Sequence, residues 1–216
     1  MSSRTRVKIC GITEAAHARV ACDAGADAIG LVFYPPSPRY VSVEQAREIA
    51  GSLPPYVCAV GLFVDAPVSG IRETMQRVPL DLLQFHGAET AAFCAQFDKA
   101  FVQAVRVTPE IDLLQSKADI DRYKPLARGL LVDAFVPGLH GGTGRSFDWS
   151  LIPETMREHV ILSGGLTPAN VRDAIGRVRP WAVDVSSGVE AGSGPKGVKD
   201  SRLIAQFIEE VHLADV

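Results

Sequence analysis

The sequence predicts an α/β protein folded as one domain, residues 1–216, whose parallel strands close into a (β/α)₈ barrel of the TIM type. Three observations carry this reading. Eight short, β-branched apolar runs recur along the chain, stretches with helical spacing lie between them, and the prominent loop-like segments all follow a run. A length of 216 residues accommodates one sizeable core but is short for two enzyme domains.

The runs occupy residues 7–10, 28–33, 57–64, 81–85, 100–105, 129–132, 160–162 and 181–185. Helical spacing is clearest late in the chain. Val171, Ala174, Ile175 and Val178 follow i, i+3, i+4, i+7, and Leu203, Ile204, Phe207, Ile208 and Val211 form a second apolar stripe. Ser42 with Gln45 three residues later reads as a capping box, Thr167-Pro168 as a cap ahead of proline at a first helical position, and Thr13 as a helix start. Regular alternation implies right-handed crossovers, and eight units close most economically into a barrel; an open doubly wound sheet is the alternative. The loop-like segments at residues 34–39, 135–145 and 190–199 would then rim one mouth, at the strands' C-terminal ends.

Charged residues make up 22% of the chain, hydrophobic ones 47%, and the net charge is −3 with no basic stripe, so no nucleic-acid partner is expected. Cys10, Cys22, Cys58 and Cys94 show no CxxC spacing, and the five histidines show no HExxH, which argues against a zinc site or a disulfide framework and for a reducing, cytoplasmic setting. The polar start lacks a secretion signal, and the longest apolar run, residues 56–64, is about half of the roughly 20 residues a membrane helix needs. No membrane association is expected.

Glycine-rich turns follow the last three runs: Gly141-Gly142-Thr143-Gly144, Ser163-Gly164-Gly165 and Ser186-Ser187-Gly188. Such turns either supply positive φ or aim several N–H groups at one phosphate, and their joint position favours the second use. GxGxxG after the first run and GxxxxGK[ST] are both absent, so the phosphate belongs to a small molecule and no cofactor is expected.

Cys10 ends the first run, where its thiol is either a small inert hydrophobe or a base, with Lys8 on the same strand face able to lower its pKa. Asp133 closes the sixth run, as a general acid or as the cap of a turn. Arg39, stiffened by three neighbouring prolines, offers a fork for a carboxylate, or is a solvated surface side chain. His86 positions substrate or satisfies a buried hydrogen bond; Asp184 binds sugar hydroxyls or pairs with Lys8.

Taken together, Lys8-Ile9-Cys10-Gly11-Ile12-Thr13, Gly30-Leu31-Val32-Phe33 with Ser37-Pro38-Arg39-Tyr40, Gln84-Phe85-His86-Gly87, Gly141-Gly142-Thr143-Gly144 with Phe147-Asp148-Trp149, Ser163-Gly164-Gly165-Leu166 and Asp184-Val185-Ser186-Ser187-Gly188-Val189-Glu190 resemble the phosphoribosylanthranilate isomerases. The resemblance spans nearly the whole chain and departs from the family pattern at residues 136–140 and 191–196. It implies a cofactor-free, metal-free Amadori rearrangement in tryptophan biosynthesis. By the same resemblance, Asp133 protonates the ribose ring oxygen, Cys10 removes the C2′ proton, and Arg39 holds the anthranilate carboxylate. Backbone N–H groups at Gly142, Gly164, Gly165, Ser187 and Gly188 would take the phosphate. Two rival readings are a metal-dependent ribulose-phosphate-type epimerase and a barrel that only binds a phosphorylated metabolite.

Overall fold

Strand-forming runs and amphipathic helices alternate as expected in the computed structural model, which describes residues 4–108, 110–134, 147–193 and 195–215. The strands are β1 (Arg6–Cys10), β2 (Ala28–Val32), β3 (Cys58–Phe63), β4 (Leu82–Phe85), β5 (Phe101–Val107), β6 (Ala127–Ala134), β7 (Val160–Leu162) and β8 (Ala182–Val185). All pair in parallel in sequence order, and β8 returns to β1, so the barrel is closed and the open-sheet alternative is excluded. Closure leaves no unpaired sheet edge.

Helices α1 (Ala15–Ala24), α2 (Val43–Gly51), α3 (Val68–Arg77), α4 (Ala91–Ala95) and α5 (Leu113–Asp121) fill the first five crossovers, with α6 (Val171–Val178) between β7 and β8 and α7 (Ser201–Ala214) after β8. The capping box at α2 is present: Ser42 Oγ accepts from Gln45 N at 3.2 Å, and Gln45 Oε1 accepts from Ser42 N at 3.0 Å. The stripes expected on α6 and α7 are the faces they bury, from Val171, Ala174, Ile175 and Val178 to Ile204, Phe207, Ile208 and Val211, while Leu203 is half-buried.

Two helix starts differ from expectation. α1 begins at Ala15 after Glu14, two residues beyond Thr13, because Gly11 has a left-handed φ of 76° and the chain must first turn away from the strand. α6 begins at Val171, not at Pro168, because Asn170 folds its side chain back, accepting from Thr167 N at 2.8 Å and donating to Gly165 O at 2.9 Å, which makes residues 167–170 a separate turn. In the sixth crossover the described residues form two 3₁₀ turns, Trp149–Leu151 and Glu154–His159.

The main apolar core lies between barrel and helices, where Phe85 stacks on Phe97 at 5.7 Å and meets Phe93 and Phe101 edge-on. A smaller cluster of Cys10, Val32, Leu62 and Val64 lies apart from it at the strands' C-terminal ends. No helix among the described residues is long and apolar enough to cross a membrane.

Candidate active site

Period-two alternation along each strand sends every second side chain into the barrel, and near the C-terminal ends those side chains are polar on most strands, with Val32, Leu62 and Val64 forming an apolar side. Cys10, Gln84, His86, Asp133, Ser163, Asp184 and Ser186, with Tyr34, Ser37 and Arg39 from the loop after β2, line one small cavity. A larger cleft of about 480 Å³ opens at the opposite end, beside Leu82, Ala127 and Trp181, and contains none of these side chains. The chemistry therefore sits at the mouth expected for a parallel barrel.

Register explains the first pairing. Lys8 and Asp184 are cross-strand partners of β1 and β8, and Lys8 Nζ donates to Asp184 Oδ1 at 2.8 Å with both side chains under a tenth exposed. Ser163 Oγ adds a bond to Asp184 Oδ2 at 3.2 Å. Of the two roles open to Asp184, the internal pair is thus present. Burial presses the Lys8 ammonium toward neutrality, but Asp184 and then Cys10 outweigh it and hold Lys8 above the usual lysine range.

The Cys10 thiol does sit beside Lys8: a Cβ placed on Gly30 would lie 2.9 Å from Cys10 Sγ and 3.0 Å from Lys8 Nζ. Gly30 thus provides the space both groups occupy. Lys8 lowers the thiol pKa as expected, but burial is the larger influence, and the net shift is upward. Lys8 thus offsets part of the cost that burial sets on a thiolate here.

Asp133 lies within β6, opposite Arg106 of β5, and not at the strand's end, because β5 and β6 stay paired through Val107 and Ala134. Its two oxygens are used differently. Oδ1 accepts from Ala134 N at 2.8 Å, and Oδ2 faces His86 Nε2 at 3.1 Å. His86 Nδ1 in turn meets Gln84 Nε2 at 3.1 Å. With the amide donating, Nδ1 is the acceptor and Nε2 carries the proton shared with Asp133. Gln84 is fully buried and its Oε1 has no partner among the described residues.

Arg39 is buried rather than solvated. Its fork grips a carboxylate of the protein itself, Nε donating to Glu190 Oε1 at 2.6 Å and Nη2 to Oε2 at 3.1 Å.

The turns after β7 and β8 pack against each other. A Cβ on Gly188 would fall 1.8 Å from Leu166 O, and one on Gly164, whose φ is 88°, would fall 2.5 Å from Ala134 N. The N–H groups of Gly164, Gly165, Ser187 and Gly188 donate to no acceptor among the described residues, while their neighbours Ser163, Val189 and Glu190 do. Gly142, the remaining phosphate candidate, lies outside the described residues, as does residues 136–140 of the divergent loops. Among the described residues no three His, Cys, Asp or Glu side chains group as metal ligands.

Sequence reasoning gave no role to Gln84, Glu190 or Lys199. Gln84 had a signal, since it precedes His86 by two residues and must share its strand face. Glu190 and Lys199 had none, because a charged residue in a loop reads as solvated, and only the fold buries Lys199 and half-buries Glu190.

The family model described as N-(5′-phosphoribosyl)anthranilate (PRA) isomerase matches residues 7–210. An N-(5′-phosphoribosyl)anthranilate isomerase of Thiobacillus denitrificans is 54% identical over 205 residues, covering 95% of this chain and 97% of that one. The phosphoribosyl anthranilate isomerase of Thermotoga maritima is 42% identical and superposes with a TM-score of 0.82, covering 96% of this chain and 98% of that one. A phosphoribosyl anthranilate isomerase in complex with reduced 1-(o-carboxyphenylamino)-1-deoxyribulose 5-phosphate is 41% identical, with a TM-score of 0.79 over 96% of this chain and 98% of that one. The closed barrel, its polar mouth and these full-length similarities converge: the chain belongs to the N-(5′-phosphoribosyl)anthranilate isomerase family, enzymes of tryptophan biosynthesis.

Proposed function

We propose that the chain, as a single cytoplasmic barrel domain, converts N-(5′-phosphoribosyl)anthranilate to 1-(2-carboxyphenylamino)-1-deoxyribulose 5-phosphate by acid–base chemistry at Asp133 and Cys10. The observation that carries this reading is that both side chains line one cavity although they come from strands β1 and β6.

In the first step the protonated Asp133 carboxyl gives its proton to the ribose ring oxygen. The C1′–O bond breaks, and the anilino nitrogen's lone pair forms the C1′=N iminium. The His86 Nε2–H, 3.1 Å from Asp133 Oδ2, stabilises the carboxylate that this step leaves. In the second step the Cys10 thiolate takes the C2′ proton, and the C2′–H electrons form the C1′=C2′ enolamine as the iminium nitrogen becomes neutral. The enolamine then ketonises, its C2′ hydroxyl losing a proton and C1′ gaining one. The Lys8 ammonium beside Cys10 favours the thiolate against the cost of burial.

Arg39, on the cavity wall, holds the anthranilate carboxylate while its Nε–Nη2 edge stays on Glu190. The N–H groups of Gly164, Gly165, Ser187 and Gly188, with Gly142, receive the phosphate, the usual place for it being the loops after strands 7 and 8. Asp184 and His86 face the sugar. Asp184 does so with the oxygen valences that Lys8 and Ser163 leave. Neither a metal nor an organic cofactor enters these steps.

The test is turnover of phosphoribosylanthranilate by the purified, chelator-treated protein, followed by loss of the anthranilate-type fluorescence. Undiminished turnover is expected. Activity that vanishes with chelator and returns with a divalent metal would favour the epimerase-like rival, and binding without any turnover would favour the metabolite-binding barrel.

A further inference from the structure

The steps above leave Glu190 and Lys199 without a task, yet both are built into the wall behind Arg39. Glu190 sits in a short antiparallel bridge with Lys199, beyond β8. Its two oxygens serve four donors. Arg39 Nε and Lys199 Nζ share Oε1 at 2.6 and 3.1 Å, while Arg39 Nη2 and Gly197 N share Oε2 at 3.1 and 3.2 Å. Lys199 is itself anchored by Ser186 O at 2.9 Å and Ser186 Oγ at 3.2 Å, and its side chain is wholly buried.

The backbone around this cluster is closely fitted. Arg39's stem crosses Gly11, where a Cβ would lie 2.5 Å from Arg39 Cδ, and Gly197, with φ of 95°, leaves room for Pro38 O only 2.4 Å from where its own Cβ would stand. Gly197 therefore lets the loop after β8, and Gly11 the loop after β1, close on the loop carrying Arg39.

We propose that Glu190 is a positioning residue for substrate binding: it fixes the Arg39 guanidinium so that a ligand's aryl carboxylate is met from the cavity side, while Lys199 balances the charge of Glu190. The proposal rests on the reading of Arg39 as the carboxylate-binding residue. Glu190 is not a competitor that the ligand displaces, because its departure from this cluster would strand the Lys199 ammonium in a fully buried position. One carboxylate between two cations leaves the cluster with a net positive charge, which suits an incoming anion. Glu190's own behaviour agrees: burial pushes its carboxyl up, but the Arg39 hydrogen bond and the Lys199 charge more than reverse this, so it stays ionised.

The experiment measures the Kd of reduced 1-(o-carboxyphenylamino)-1-deoxyribulose 5-phosphate, and of its counterpart lacking the ring carboxyl, by calorimetry. Wild type, Glu190→Gln and Arg39→Lys are compared. Glutamine keeps the shape but offers an N–H where an acceptor is required, so the carboxylated probe should bind about tenfold more weakly while the other probe is unaffected. Equal weakening of both probes would make Glu190 a mere loop fastener, and tighter binding would make it a competitor; either overturns the proposal. If Arg39→Lys leaves the carboxylated probe untouched, the carboxylate reading fails and this proposal with it. If Arg39→Lys weakens that probe and Glu190→Gln does not, only this proposal fails. Should Glu190→Gln not fold, Glu190→Asp keeps the charge but shortens the reach, and the same selective loss is expected of it.

Discussion

Removing the Asp184 charge tests whether the barrel floor is held for stability or for chemistry. Asp184→Asn preserves shape and the acceptor for Ser163, but it strands the Lys8 ammonium, whose side chain is 8% exposed. An ion left unpaired in such a place costs about 3–5 kcal/mol. With an unfolding entropy of roughly 2 cal/mol/K per residue over 216 residues, that lowers Tm by roughly 7–11 °C. Adding Lys8→Met removes the stranded charge, so the double variant should recover at least about 2 kcal/mol of the loss. Its turnover should stay far below wild type, because the thiolate has lost its cation. Lys8 is held above its ordinary value of 10.5 in wild type, so its contribution to wild-type stability is fully present below that pH, is lost only as pH rises through the still higher folded value, and should be the same at pH 7 and pH 9. The assay is thermal unfolding of wild type, both single variants and the double, with turnover measured on each. A double variant as unstable as the two singles added together would refute the argument.

Three further outcomes follow from the geometry. Gly188→Ala drives a methyl into Leu166 O, so the phosphate turn must shift; KM for the phosphorylated substrate should rise by tenfold or more while Tm falls by a few degrees, and an unchanged KM in steady-state kinetics would remove this turn from phosphate binding. Gln84→Leu deletes the partner of His86 Nδ1, so kcat should fall by about tenfold with KM preserved; a normal kcat would show that the imidazole orientation is set by Asp133 alone. Burial lowers Lys199 to about 8, against the raising influence of Glu190, with Arg39 lowering and Cys10 raising it further. Its proton is therefore present below that pH and lost above it, so between pH 7 and 9 the affinity for the carboxylated probe should fall by about three- to tenfold and that of its decarboxylated counterpart should not, as calorimetry at the two pH values would show.

Most of the fold was legible because it rests on local signals. The eight runs match the strands to within a residue or two at most ends, since β-branched runs bounded by Gly and Pro have few other uses. The exceptions have physical causes. β6 is longer than its apolar run because pairing with β5 carries Asp133 into the ladder, and α6 starts late because Asn170 makes its own turn. At the site, the cluster of Cys10, His86, Asp133 and Asp184 follows from strand parity and the rule that barrel chemistry gathers at the C-terminal ends. What no local signal reveals is partnership across the barrel. The choice between sugar and Lys8 for Asp184, and the grip of Glu190 on Arg39, depend on which loops meet only after closure.

The central claim is that Asp133 gives a proton and Cys10 removes one within a single reaction. Turnover of phosphoribosylanthranilate by Cys10→Ser, Asp133→Asn and the double variant, each shown to be folded by its unfolding transition, tests this most directly. Each single change should lower kcat by on the order of 10²–10⁴, and the double should lose little more than the worse single. Near-wild-type turnover in either single variant, from protein of normal stability, would contradict the account.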